Sequence, residues 1–201
     1  MEITAIILAG GKSLRLGRNK ALETIGGKSL IEYVIERLRP LTNRFLIVTS
    51  QGQSDLPVIY DAEVLVDIYP GKGPLVGIYT GLLASRTSHN AVVAGDMPFI
   101  NIELLRYMIE LSPDFDVVIP RLREGMIEPL HAVYSKNCLN NMKTQLEQGY
   151  LKISYLLDTV RVRYVEIAEC QKFDPQLLTF FNINSQSDLD KAIALAAESK
   201  H

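Results

Sequence analysis

The chain has 201 residues, enough for one α/β domain with a real hydrophobic core. Hydrophobic residues make up 47% and charged residues 22%, the balance of a soluble globular protein, and a formal net charge of -2 argues against nucleic acid as a main partner. Two cysteines, Cys138 and Cys170, exclude a disulfide scaffold and fit a reducing cytosol. No run is long enough to span a membrane, and Met1-Glu2-Ile3 enters a strand without the basic segment of a secretory signal, so the expected location is cytoplasmic.

Taken in chain order, apolar β-type runs alternate with helical patterns. Ile3–Leu8 reads as a buried strand that opens into a Gly-rich basic loop, Ala9-Gly10-Gly11-Lys12-Ser13-Leu14-Arg15. Ser29-Leu30-Ile31-Glu32 has the Ser-x-x-Glu capping pattern and starts a helix that Pro40 stops near Arg39. Phe45–Thr49 and Val64–Val66 are strands. Pro74 suits the first turn of a helix carrying a core stripe of Leu75, Ile78 and Leu82. Ala91–Ala94 is a buried strand ending at Gly95-Asp96-Met97-Pro98. Asn101 caps a helix to about Leu111, and Val117–Pro120 is another strand. Leu130–Tyr134 alternates, with His131 as a structural residue. A helix covers Asn137–Gln148, Val162–Ile167 alternates again, Thr179–Asn182 reads as a short strand, and a last helix begins near Ser187.

No repeat, low-complexity tract or linker divides the chain, which is expected to form a single domain over residues 1–201. Near-continuous apolar strands joined by helices predict an α/β fold with three layers, a mostly parallel sheet covered on both faces. Ligands bind such sheets beyond the carboxyl ends of the strands, where the strand order reverses. The Gly-rich loop, Asp67, Asp96, Asn182 and Asn184 all follow strands and should converge on one crevice.

The Gly-rich loop is a phosphate-binding design, because glycine lets backbone N–H groups close on an anion while Arg15 and Lys20 add positive charge. It is not a P-loop. Gly11-Lys12-Ser13 and Gly27-Lys28-Ser29 would each need a glycine five residues before their own, and Ile6 and Leu22 stand there. The Gly-x-Gly-x-x-Gly dinucleotide fingerprint is also missing.

The pattern that does match is Leu-Ala-Gly-Gly-x-Ser-x-Arg-x-Gly-x-x-Lys, residues 8–20. It resembles the nucleotidyltransferase signature, in particular that of the molybdenum cofactor guanylyltransferases, the MobA-like family. Gly27-Lys28-Ser29-Leu30, the Gly73-Pro74-Leu75 segment, Asp96-Met97-Pro98, Glu128-Pro129-Leu130 and Asn182-Ile183-Asn184 resemble later family segments in order. The chain departs from the family pattern in three places, at four positions. Leu16 stands for Met, Asn19 for Asp, and Asn184-Ser185-Gln186 for Asn-Thr-Pro.

The resemblance implies a Rossmann-like nucleotidyltransferase fold and an Mg²⁺-dependent reaction. GMP would pass from GTP to the terminal phosphate of molybdopterin, with pyrophosphate released. It implies GTP and molybdopterin as substrates and transient contact with molybdenum-insertion and acceptor enzymes. A phosphate is already nucleophilic at neutral pH, so no general base is needed. Negative charge builds on the α-phosphate and the leaving group, so the chain must position and neutralise.

Leu8, Ala9, Gly10, Gly11 and Ser13 would bind the nucleotide, and Arg15 and Lys20 would stabilise the triphosphate. Asp96 would hold Mg²⁺, which needs only one or two carboxylates. Asp67 would reach the nucleotide or metal, and Asn182 and Asn184 the second substrate. Lys12, Arg18 and Lys72 read as solvated charges. The alternatives are a sister transferase (CTP with molybdopterin, or GTP with a cobinamide phosphate) or an inactive nucleotide-binding module. Cytidylyl relatives tend to read Leu-Ala-Ala-Gly where this chain has Leu8-Ala9-Gly10-Gly11, and the extra methyl would narrow the base pocket, so the Gly10-Gly11 pair leans toward guanine.

Overall fold

A computed structural model describes residues 1–9, 23–50, 62–69 and 71–198. In chain order the elements are β1 (Ile3–Leu8), β2 (Thr24–Ile25), β3 (Lys28–Ser29), α1 (Leu30–Leu38), β4 (Phe45–Thr49), β5 (Glu63–Val66) and α2 (Pro74–Ala84). Then come β6 (His89–Ala94), α3 (Ile102–Leu111), β7 (Val117–Arg123), β8 (Met126–Ile127), β9 (His131–Ser135) and α4 (Leu139–Glu147). The chain ends with α5 (Ile153–Leu157), β10 (Val162–Glu166), α6 (Ile167–Phe173) and α7 (Gln186–Glu198).

One sheet runs β10-β7-β9-β6-β1-β4-β5, with β8 added to β7; β2 and β3 form a separate ribbon. The pairs β6–β1, β1–β4, β4–β5 and β7–β10 are parallel. Strand β9 is antiparallel to both neighbours, and β8 is antiparallel to β7. The expected mostly parallel sheet is therefore two parallel blocks joined by one reversed strand. The chain builds outward from β1 through β4 to β5, then returns to place β6 on the other side of β1. The carboxyl ends of β1 and β6 flank that reversal.

Helix formation follows local chemistry. Ser29 caps α1, accepting from the Glu32 N–H at 3.4 Å, while the Glu32 carboxylate accepts the Ser29 N–H at 2.6 Å. Asn101 caps α3 through the Leu104 N–H at 2.9 Å. Apolar faces of α1, α3 and α6 cover one side of the sheet (Ile31, Val34, Leu104, Met108, Cys170). Helices α2, α4 and α5 cover the other with Leu75, Ile78, Met142 and Leu156. A third cluster joins the β2–β3 ribbon to α7 through Ile25, Leu30, Ile183, Leu189 and Ala192.

Helix α2 closes unusually tightly on β1. A Cβ built on Gly81 would overlap Ile6 Cγ2, and one on Gly77 would lie 3.2 Å from both Leu8 δ-carbons. Two glycines one turn apart thus let this helix press on the strand that leads into the Gly-rich loop.

Two expectations change. Strand β9 is buried at every position instead of alternating, because it is central and covered on both faces. Residues Thr179–Asn182 form no strand. The segment is a 3₁₀ turn, Leu178–Phe180, entered through Leu177 at φ 54°. The Thr179 N–H donates to the Asp174 carboxylate at 2.7 Å, so a side chain replaces a ladder partner. Helices α5 and α6 were not expected. The latter opens on a Glu166/Glu169 capping box of the same form as the one at α1.

Candidate active site

The carboxyl ends of β4, β1 and β6 lie side by side. The Ala9 N–H donates to Val48 O at 2.8 Å, and the Gly95 N–H to Leu8 O at 2.9 Å. The parallel register carries Leu8 opposite Ala94. The turn after β6 is therefore stitched to the start of the Gly-rich loop, and Asp96 stands one residue beyond the stitch. Its side chain is partly exposed, while Met97 and Pro98 behind it are buried.

Asp67 follows β5 on the far side of β4, with its N–H on Thr49 O at 2.8 Å. Its Oδ1 accepts from the Tyr69 N–H at 3.3 Å and the Thr80 hydroxyl at 3.4 Å. Burial raises its pKa, and those two donors oppose the rise. The carboxylate is thus oriented by α2 through Thr80.

The C-terminal segment reaches the same place. The Ile183 N–H donates to Asp96 O at 3.1 Å, and the Ile183 side chain is buried in the third cluster. Asn182 and Asn184 flank that anchor. The Asn182 amide donates to Phe180 O at 3.3 Å, and Asn184 is exposed with its N–H on the Asp188 carboxylate. Ser185, in the Asn184-Ser185-Gln186 variant of the family pattern, exchanges hydrogen bonds with Asp188. The Asp188 N–H meets Ser185 Oγ at 3.2 Å, and the Ser185 N–H meets Asp188 Oδ2 at 2.9 Å. Serine therefore supplies the cap for α7.

Glu128, which sequence reasoning did not single out, lies within the electrostatic reach of Asp96. Its N–H donates to Pro120 O and the next turn brings Leu130 O to the Ala94 N–H, which sets this turn beside the end of β6. Burial raises its pKa first, and the Asp96 charge raises it further, against the Leu130 N–H. The antiparallel return of β9 creates this pairing. The Glu128-Pro129-Leu130 motif was visible, but its position opposite Asp96 depends on that return.

His131 is fully buried and, as expected, structural. Its Nε2 lies 3.5 Å from Thr179 Oγ1, its ring meets Phe180 edge-on at 5.2 Å, and burial pushes its pKa down to about 4. The stripe of Leu75, Ile78 and Leu82 is core. Gly10, Gly11, Ser13, Arg15 and Lys20, together with Lys12, Leu16, Arg18 and Asn19, lie outside the described residues.

The donor set suits a hard cation. The Asp96 charge is felt at Glu128, and Mg²⁺ typically takes one or two carboxylates with waters and phosphate oxygens. Among the described residues no group of three or more His, Cys, Asp or Glu side chains could hold a metal ion. No helix among the described residues is long and apolar enough to cross a membrane.

Residues 5–160 match the profile of the MobA-like NTP transferase domain. A relative from Methanosarcina mazei named probable molybdenum cofactor guanylyltransferase is 38% identical, over 97% of this chain and 92% of its own. A relative of the same name from Natranaerobius thermophilus is 38% identical over 95% of each chain. The crystal structure of molybdopterin-guanine dinucleotide biosynthesis protein A from Archaeoglobus fulgidus superposes with a TM-score of 0.81 at 30% identity, covering 98% of this chain and all 100% of that one. The order of the strands, the crevice at the ends of β1 and β6, and these full-length similarities agree: the chain belongs to the MobA-like NTP transferase family.

Proposed function

We propose that this protein is a molybdenum cofactor guanylyltransferase, a single nucleotidyltransferase domain that transfers GMP from GTP to the terminal phosphate of molybdopterin and releases pyrophosphate. The observation that carries this reading is the convergence of three sequence-distant segments on one point. Leu8 O holds the Gly95 N–H, and Asp96 O holds the Ile183 N–H, so the end of β1, the acidic turn and the residue between the two asparagines are joined, which supports one shared site. Relatives named for this activity, aligned over nearly the whole chain, support it.

The nucleotide lies against the loop after β1, where Leu8 and Ala9 line its start, Gly10 and Gly11 offer backbone donors and Ser13 a hydroxyl. Arg15 and Lys20 neutralise the triphosphate and the departing pyrophosphate. Asp67, held by Thr80, accepts hydrogen bonds from the nucleotide. Asp96 holds Mg²⁺ with Glu128 adding to the negative field; the ion, when bound, neutralises charge developing at the α-phosphate. Asn182 and Asn184 orient the acceptor, whose phosphate oxygen attacks in line without a general base. The Gly10-Gly11 pair leaves room for guanine.

The test is an assay with Mg²⁺, molybdopterin cofactor, and GTP or CTP, following pyrophosphate release and the dinucleotide product. The expected outcome is turnover with GTP, tighter binding of GTP than CTP, and loss of turnover in Asp96→Asn with the fold intact. Tighter binding of CTP would overturn the base assignment, and near-normal turnover of Asp96→Asn would remove Asp96 from the metal role.

A further inference from the structure

The loop after β6 and the segment after α6 are joined at two points. The first is the Ile183 N–H on Asp96 O. The second is a buried clasp around Thr179, whose side chain is fully buried. Thr179 Oγ1 accepts the Asn101 N–H at 2.9 Å, and the Thr179 N–H donates to Asp174 Oδ2 at 2.7 Å. Asn101 closes the ring from the other side, donating its Nδ2 to Phe173 O at 2.9 Å while its Oδ1 caps α3.

Residues 96–101 and 173–183 are thus fastened at both ends, like two rails with a rung at each. The chain accepts a left-handed Leu177, the one non-glycine positive φ among the described residues, to make the turn that carries Thr179 into place. A connection needed only to reach α7 does not require that conformation or a buried Thr–Asn–Asp clasp.

We propose that Thr179 is a positioning residue for the transfer. It fixes the spacing between Asp96, at the nucleotide, and Asn182 and Asn184, at the acceptor, by locking the two segments into one body. This rests on the reading of those asparagines as acceptor ligands. The clasp touches neither substrate, so its loss should loosen the acceptor side while the nucleotide side, anchored on β1, is kept. Replacing Thr179 by valine preserves shape but leaves both the buried Asn101 N–H and the buried His131 Nε2 without the Thr179 hydroxyl, whereas serine keeps the oxygen.

The experiment compares wild type, Thr179→Val, Thr179→Ser and Asn101→Asp. The last keeps a good helix cap but removes the donor to Phe173 O. Three quantities are measured: GTP affinity by calorimetry with Mg²⁺, KM for the molybdopterin cofactor, and hydrogen exchange at the Ile183 amide. Thr179→Val and Asn101→Asp should raise the acceptor KM about tenfold or more and speed Ile183 exchange by a similar factor. GTP affinity should stay within about twofold, and Thr179→Ser should stay near wild type. Unchanged Ile183 exchange and unchanged acceptor KM in folded Thr179→Val or Asn101→Asp overturn the proposal, as does a parallel loss of GTP affinity. If wild type binds GTP but does not use the pterin, the functional reading fails, and Ile183 exchange alone still decides the clasp.

Discussion

Replacing His131 by leucine should flatten the acid side of the stability curve. His131 is fully buried, Nδ1 has no hydrogen-bond partner, and burial lowers its pKa from 6.5 to about 4. Folding thus depends on keeping the ring neutral. The unfolded chain takes up a proton near pH 6.5 that the folded chain refuses until about pH 4. The contribution is fully present above the unfolded value, is lost as pH falls through this window, and is gone below it. A difference of roughly 2.5 pK units at 1.36 kcal/mol each gives about 3 kcal/mol.

Other groups titrate nearby but cancel in the comparison. The raised pKa values of Glu128 and Asp67 favour the folded state as pH falls. Asp116, hydrogen-bonded to Arg161, and Glu169, hydrogen-bonded to Arg163, are both lowered to about 2 and lose their contribution as pH falls from the ordinary carboxylate range toward that value, equally in both proteins. Urea unfolding followed by far-UV circular dichroism at a series of pH values gives the free energy for each protein. Wild type should lose about 3 kcal/mol more than His131→Leu between about pH 7 and pH 4. Curves that run parallel within about 0.5 kcal/mol would refute the burial argument.

Gly81→Ala should destabilise the protein by about 1–3 kcal/mol, because its Cβ would meet Ile6 at the helix–strand contact; an unchanged urea midpoint would mean that α2 can shift freely. Ser29→Ala should cost about 1 kcal/mol through loss of the α1 capping box, read by the same denaturation experiment. Glu128→Gln should raise the Mg²⁺ concentration for half-maximal activity about tenfold with the fold intact, and an unchanged Mg²⁺ dependence would remove Glu128 from the site. Asp67→Asn should weaken GTP binding about tenfold with little effect on the pterin KM, as checked by calorimetry and steady-state kinetics.

Local signals carried most of the fold. The Ser29/Glu32 box, Pro74 at a helix start and Asn101 as a cap are chemistry within a few residues, and each stands where it was expected. The apolar runs of β1, β4 and β6 show burial directly. What was illegible is long-range. Thr179 looks like a strand residue because β-branched and aromatic neighbours surround it, yet Asn101 and Asp174 take its hydrogen bonds and make a turn. Glu128 gained its meaning from the reversed β9. At the site, Asp96 and Asp67 were legible as acids at strand ends, and their placement beyond β6 and β5 agrees. Ile183 appeared in the sequence only as the middle of Asn182-Ile183-Asn184, with no role of its own, yet it is the anchor between the two asparagines.

The reversed strand also bears on how the chain is made. Strand β9 sits between β6 and β7 but is synthesised after both. Until His131–Ser135 leaves the ribosome, one edge of the apolar Ala91–Ala94 run has no partner to receive its hydrogen bonds. Such an edge is a template for pairing with another chain, and its closure waits on a contact distant in sequence. Crowded synthesis would therefore expose this protein to aggregation at one defined stage, before residue 131 emerges, and a ribosome pause placed there would lengthen the hazard.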